Sequence, residues 1–354
     1  MTIEAGSVRP AWRRLFGVPL CVSVVFTVLM LATAVWADLP IRDPDGFLGP
    51  SFIRLPLIGL LMIAVDVVPR AFSRRSELGG LGKAVWDVLR TRWSGSRLGV
   101  AVAGLITFYL AYLSYRNFKS FLPFLQERLT DGMLIESDEW FAFGAHPGDL
   151  LQDVLGTGIT ADVLSAVYMA YMVFVPATLA AGLVWSDNLR RGAWYATALS
   201  FNWILGTVSY YALPSLGPIY AEPQRFTDLP ETAVSGLQES LYENRIEVLA
   251  DPFATNDVHG IAAFASLHVS IVFTAALVAH LTRLPKVVRW VLWAYVVLTA
   301  LATVYFGWHY IVDGIAGFAL GGISVWLASK AVGGGAPLKP EPEEKLPQLE
   351  TAGV

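Results

Sequence analysis

A single cysteine, Cys21, is all that this 354-residue chain contains, so it can close no intramolecular disulfide and build no cysteine-based metal cluster. Charge is also scarce: 15% of residues are charged against 55% hydrophobic, which excludes an ordinary soluble domain. The formal net charge of −4 gives no basis for nucleic-acid binding. No internal repeat is visible, which argues against transporters built from inverted repeats.

What the chain does have is long apolar runs, at roughly 15–37, 52–69, 98–115, 161–185, 193–213, 261–282, 289–308 and 311–331. Each is near the ~20 residues needed to cross a bilayer, so the sequence predicts an all-α, polytopic membrane helix bundle of about eight transmembrane helices. The first run follows Arg9, Arg13 and Arg14 but is too long for a signal-peptide core, and it reads as a retained helix. Of the 25 Lys and Arg, 18 fall on one side of this topology and seven elsewhere. By the positive-inside rule both termini are then cytoplasmic.

Two long connections, 116–160 and 214–260, fall on the opposite face and carry prolines, acids and aromatics, as structured caps would. The chain divides into 1–97, with two spans and a basic cytoplasmic connection; 98–331, a six-helix core with both caps; and 332–354, a Pro/Glu-rich tail too polar to fold.

Titratable groups at bilayer depth are costly, about 2.5–3.5 kcal/mol for an Asp at a helix centre, so those near span ends draw attention. Ser266-Leu267-His268 opens the sixth span, His309 ends the seventh, and Asp313 begins the eighth, all toward the capped face. If 309–313 is helical, the four-residue spacing sets Asp313 beside His309, where its carboxylate can accept a proton from one imidazole nitrogen and leave the other nucleophilic. His268, with no local carboxylate, suits a general acid. The helix start at Ser266 offers N–H groups and a hydroxyl to an anion, and phosphate fits best.

Plainer roles exist for each. A lone interfacial histidine is more often snorkelling or hydrogen-bonded than catalytic, and His146, His259 and His280 take that reading. The His309/Asp313 pair could be a capping arrangement. Asp66 within the second span reads as packing, with ion coupling as the alternative. Gly317-x-x-x-Gly321 reads as a helix-packing site.

Ser-x-His opening one helix, then His-x-x-x-Asp one hairpin later, resembles the type-2 phosphatidic acid phosphatase superfamily, the lipid phosphate phosphatases. The strings Ala263-Phe264-Ala265-Ser266-Leu267-His268 and Thr303 to Gly314 look most like its inositol phosphorylceramide synthase branch, and sphingomyelin synthases share the His-Tyr-x-x-Asp element. The resemblance covers about 98–331. It implies His309 as a nucleophile forming a phosphohistidine, Asp313 as its orienter, His268 as the acid, and no metal or other cofactor.

The chain departs from the classical phosphatase pattern at Ala265, where that pattern has proline, and at Ala302 and Thr303, where it has Ser-Arg. The second departure removes a phosphate-binding arginine. Arg116 and Lys119, after the third span, are the best replacements, Arg for bidentate contact and Lys as a point charge. Snorkelling is their alternative role, and Arg225 and Arg245 are weaker candidates.

The expected function is a membrane-embedded lipid phosphotransferase acting on a phospholipid or polyprenyl phosphate in a plasma membrane, with its site facing the periplasm or exterior. Alternatives are a phosphatase that uses water and a non-catalytic transporter or scaffold. The oligomeric state is left open.

Overall fold

The computed structural model describes residues 10–44, 51–256 and 258–333. Each of the eight apolar runs is a long helix: α1 Ala11–Trp36, α2 Ser51–Arg74, α4 Gly95–Leu125, α7 Ile159–Ala180, α8 Leu189–Ala212, α11 Leu267–Leu281, α12 Lys286–Tyr305 and α13 Ile311–Ala331. Between them lie α3 Leu81–Arg92 and the cap helices α5 Asp131–Phe141, α6 Pro147–Leu155, α9 Pro218–Ala221 and α10 Ala233–Ala250. The described residues contain no strand.

Six of these helices are long and apolar enough to cross a membrane on composition alone, fewer than the eight spans expected. The other two, α8 and α11, are interior helices of the bundle. Of 24 residues in α8, 14 are buried, including Thr197, Ser200, Asn202 and Thr207, and α11 buries ten of 15. A helix wrapped by protein need not show lipid an apolar face, so its sequence can be more polar or shorter. At 15 residues α11 is about 22 Å long, less than the ~30 Å hydrocarbon core.

Inside this bundle Asn202 donates to Thr274 Oγ1 at 3.0 Å and accepts from Ser270, tying α8 to α11. Such interhelical bonds contribute about 0.6–2 kcal/mol each in membranes. Gly317 and Gly321 bring α13 against α11, since a Cβ there would lie 2.6 Å from the Ser266 carbonyl oxygen and 2.7 Å from that of Ser270. The small-residue spacing serves close packing, as its sequence suggested.

The first two spans have different neighbours. Phe16 of α1 is fully buried and shares the main core with α4 and α8, whereas α2 packs with α3. Asp66 of α2 accepts from Arg70, Arg92 and Trp93 at 3.0, 2.7 and 3.1 Å, so its role is to join α2 to α3, as a packing reading requires. The tail lies, from 334 on, outside the described residues, as do Arg9 and the rest of 1–9.

One boundary moves in a way that matters for the site. The third span does not end at 115: α4 continues to Leu125, about 46 Å in all, and carries Arg116 and Lys119 on its last turns instead of in a cap loop. The first cap therefore begins at 126. Apolar windows end where polar residues begin, but Asn117 and Ser120 are buried and hydrogen-bonded, so the helix runs through them.

Candidate active site

The loop between α12 and α13 carries the central residue. The chain turns at Gly307 (φ 68°), and the Phe226 ring covers that glycine so closely that a Cβ would lie 2.4 Å from it. Both conformation and space demand glycine there. The turn directs the Trp308 and His309 N–H groups back to the Thr303 carbonyl, at 2.9 and 3.2 Å. His309 is therefore in the turn and not in a helix, contrary to the helical 309–313 considered from the sequence, and α13 begins only at Ile311.

Asp313 nevertheless meets His309. Its Oδ2 lies 3.3 Å from His309 Nδ1 and accepts from the Tyr310 N–H at 3.0 Å, so one carboxylate oxygen both caps α13 and faces the imidazole. The other oxygen, Oδ1, is buried without a hydrogen-bond partner. The backbone of Ala263 also hydrogen-bonds the His309 ring. Burial, then the positive charge of Lys119, pushes His309 down to about 3, so its imidazole is neutral at neutral pH.

His268, in the first turn of α11, faces His309 with ring centroids 5.9 Å apart. It lies between Tyr168 and Tyr171 of α7, whose ring centroids are 4.7 and 4.3 Å from its own, and Trp308 stacks on Tyr168 at 5.2 Å. Ser266 is the N-cap of α11: its hydroxyl accepts from Val269 N–H at 3.4 Å, and its N–H donates to the Asp313 carbonyl at 3.0 Å. The residue is fully buried. Its hydroxyl thus already has a structural partner, with its proton still available to a ligand.

Lys119 is 9% exposed and lies over the Tyr210 ring at 5.0 Å, where its charge bears on both His268 and His309. Arg116 stands one turn earlier with its Nε buried and without a hydrogen-bond partner. Neither forms an ion pair among the described residues. Arg225, by contrast, is spent on Asp149 and Glu222, at 3.0 and 3.1 Å. Among the described residues no three His, Cys, Asp or Glu side chains group as a metal site requires.

Sequence reasoning missed the residues that hold this site in shape. Asp131 accepts from the Leu216 and Gly217 N–H groups and from the Tyr310 hydroxyl, all at 2.9–3.0 Å. Asp138 accepts from Ile311 N–H at 2.8 Å, at the start of α13. Burial and the neighbouring Asp313 carboxylate push Asp138 up to about 7. No local signal marked them: acids on a short helix ordinarily face solvent, and these two are buried only because distant segments fold onto them.

With the geometry in place, comparison with known proteins is decisive at the family level. A family model described as PAP2 superfamily matches residues 133–327, more than half of the chain. The chain belongs to the PAP2 superfamily. It is accordingly a multi-pass membrane protein and a phosphatase or phosphotransferase of the type-2 phosphatidic acid phosphatase superfamily. No curated protein and no solved structure matches it. The matched region contains His268, His309 and Asp313 but not Arg116 or Lys119; the charge of Lys119 bears on both of those histidines, whereas that of Arg116 bears on Lys119 and His259.

Proposed function

We propose that this PAP2-superfamily protein is a metal-independent lipid phosphotransferase that works through a phosphohistidine on His309 at the non-cytoplasmic face. The observation that carries the reading is the pairing of a neutral His309, its Nδ1 against Asp313, with a second histidine facing it at 5.9 Å. In the first step His309 Nε2 attacks phosphorus, the bond from phosphorus to the leaving oxygen breaks, and protonated His268 gives its proton to that oxygen. A bound phosphoryl anion beside His268 favours its imidazolium form. In the second step His268 takes the proton of the acceptor hydroxyl, whose oxygen attacks phosphorus and frees His309.

Lys119 and Arg116 supply positive charge for the phosphoryl oxygens in place of the arginine that Thr303 lacks, and the N–H groups at the start of α11 add to it. Transfer to an alcohol is favoured over hydrolysis because His309 is only 5% exposed and His268 is walled by Tyr168 and Tyr171, with Trp308 stacked on Tyr168. Such a lining admits a lipid or glycan hydroxyl while restricting water. The likeness to the inositol phosphorylceramide synthase branch makes an inositol-phosphate headgroup the first donor to test, in a plasma membrane with both termini cytoplasmic.

The test is to incubate the full chain in nanodiscs with phosphatidylinositol labelled with ³²P, with and without candidate acceptors, and to trap acid-labile phosphoprotein. Label on the wild type, none on His309→Ala, and acceptor-dependent labelled lipid are expected. Release of labelled inositol phosphate alone would make water the acceptor and the protein a hydrolase, and absence of label with every lipid phosphate would refute the phosphohistidine.

A further inference from the structure

Outside the histidine pair, a cavity of about 230 Å³ opens between the end of α4, the 214–216 turn, α10 and the 259–261 segment. Its polar lining includes Arg245, His259, Gln126 and Glu127. His259 is buried at 1% exposure, with its N–H on Ser120 Oγ at 3.3 Å. Its ring meets a donor on both sides: Arg245 Nη1 lies 2.9 Å from Nε2, and the Ile261 N–H lies 3.2 Å from Nδ1.

A neutral imidazole has one acceptor nitrogen and one N–H. Burial and the charges of Arg245, Lys119 and Arg116 hold His259 well below its ordinary value, so the ring is neutral. Whichever nitrogen carries the proton, one side of the ring sets donor against donor. With the proton on Nε2, that N–H and the Arg245 guanidinium converge, and among the described residues no carboxylate pairs with them, Asp131 acting on Arg245 only from beyond ion-pair distance. Arg245, Arg116 and Lys119 form no ion pair among the described residues. Glu127, the one carboxylate lining the cavity, is itself exposed. A half-buried guanidinium and a buried imidazole that converge on the cavity without an ion-pairing carboxylate call for an anion.

The cavity is continuous in the chain with the reacting centre. Residues 259–263, at most about 14 Å long when extended, lead from His259 to Ala263, whose backbone hydrogen-bonds His309. The charge of Lys119 bears on His259 and on His309 alike.

We propose that the Arg245–His259 cavity is a second oxyanion subsite, which holds an anionic group of the substrates other than the phosphoryl group that faces His309. It rests on the transferase reading above. The ligand is a phosphate or carboxylate, carried either by the lipid donor as a second anionic group or by the acceptor.

The full chain in phosphatidylcholine nanodiscs tests this by equilibrium dialysis with labelled inorganic phosphate. Two equivalents per chain are expected in the wild type, and one in Arg245→Gln; equal stoichiometry in the two overturns the subsite. This arm needs no turnover, so it decides even if no lipid is converted and the functional proposal fails. In kinetics, the kcat/KM ratio of a lipid diphosphate over a lipid monophosphate should fall at least ten-fold in Arg245→Gln and recover in part in Arg245→Lys if the donor supplies the anion. If the acceptor does, the same fall appears in the ratio for glycerol 3-phosphate over glycerol as acceptor. Ratios equal to the wild type in both arms, with the Arg245→Lys protein folded and active, refute the proposal.

Discussion

Replacing Asp313 by Asn changes one atom in the pair on which the chemistry depends. In the native protein Oδ2 lies 3.3 Å from His309 Nδ1 and 3.0 Å from the Tyr310 N–H, so the carboxylate accepts from both and leaves Nε2 free to attack. An asparagine keeps its oxygen for only one of them. If its oxygen stays on the Tyr310 N–H, its NH₂ turns to His309 Nδ1, which must then accept, and the ring proton moves to Nε2, where it blocks the nucleophile. Loss of the correct tautomer in a comparable His–carboxylate pair costs about 10⁴-fold, or about 5.5 kcal/mol of barrier. Stability should change little, because the α13 cap survives and a fully buried carboxylate becomes a neutral amide. Single-turnover formation of phosphohistidine and thermal unfolding, measured on the same preparation, separate the two effects. A variant that retains more than a tenth of the wild-type rate refutes the orienting role, and one that loses the rate only because it unfolds refutes the tautomer reasoning.

Lys119→Met should lower kcat/KM for a lipid phosphate by about 10–100-fold through loss of a charged contact, and because its charge helps hold His309 down, the acid limb of the pH–rate profile should move to higher pH. Asp138 binds its proton more tightly in the folded protein, near pH 7, than in the unfolded chain, so the wild type should lose stability as pH rises from the ordinary carboxylate range through 7; Asp138→Asn should flatten that slope in thermal melts at pH 5 to 8. Gly317→Leu sets a side chain where a Cβ already lies 2.6 Å from the Ser266 oxygen, and should cost roughly 1–3 kcal/mol or more in chemical unfolding while displacing His268.

The membrane class and the eight helical segments were legible in the sequence because both are written locally in apolar run length, and His268, His309 and Asp313 drew attention as polar residues placed where bilayer burial is costly. The His309–Asp313 pairing was reached from helical spacing, yet the contact forms across a turn and a helix cap, with His309 before the helix. The spacing was right because a capping carboxylate at the third helical position reaches back to the residues before the helix, as a fourth-residue neighbour within a helix would.

Tertiary structure alone decided the rest. Lys119 and Arg116 belong to an extended α4, and their charges matter because neither forms an ion pair among the described residues. His259 read as an ordinary interfacial histidine; it becomes a candidate ligand only when Arg245, 14 residues away, is folded against it. Asp131 and Asp138 lie nearly 180 residues from the loop they hold, a separation no local pattern encodes. The sequence by itself determined which segments form long apolar helices and which polar residues they carry, since both follow from the solvation of each segment. Which of those residues face one another depends on helix packing over long chain separations, and only the folded bundle settles that.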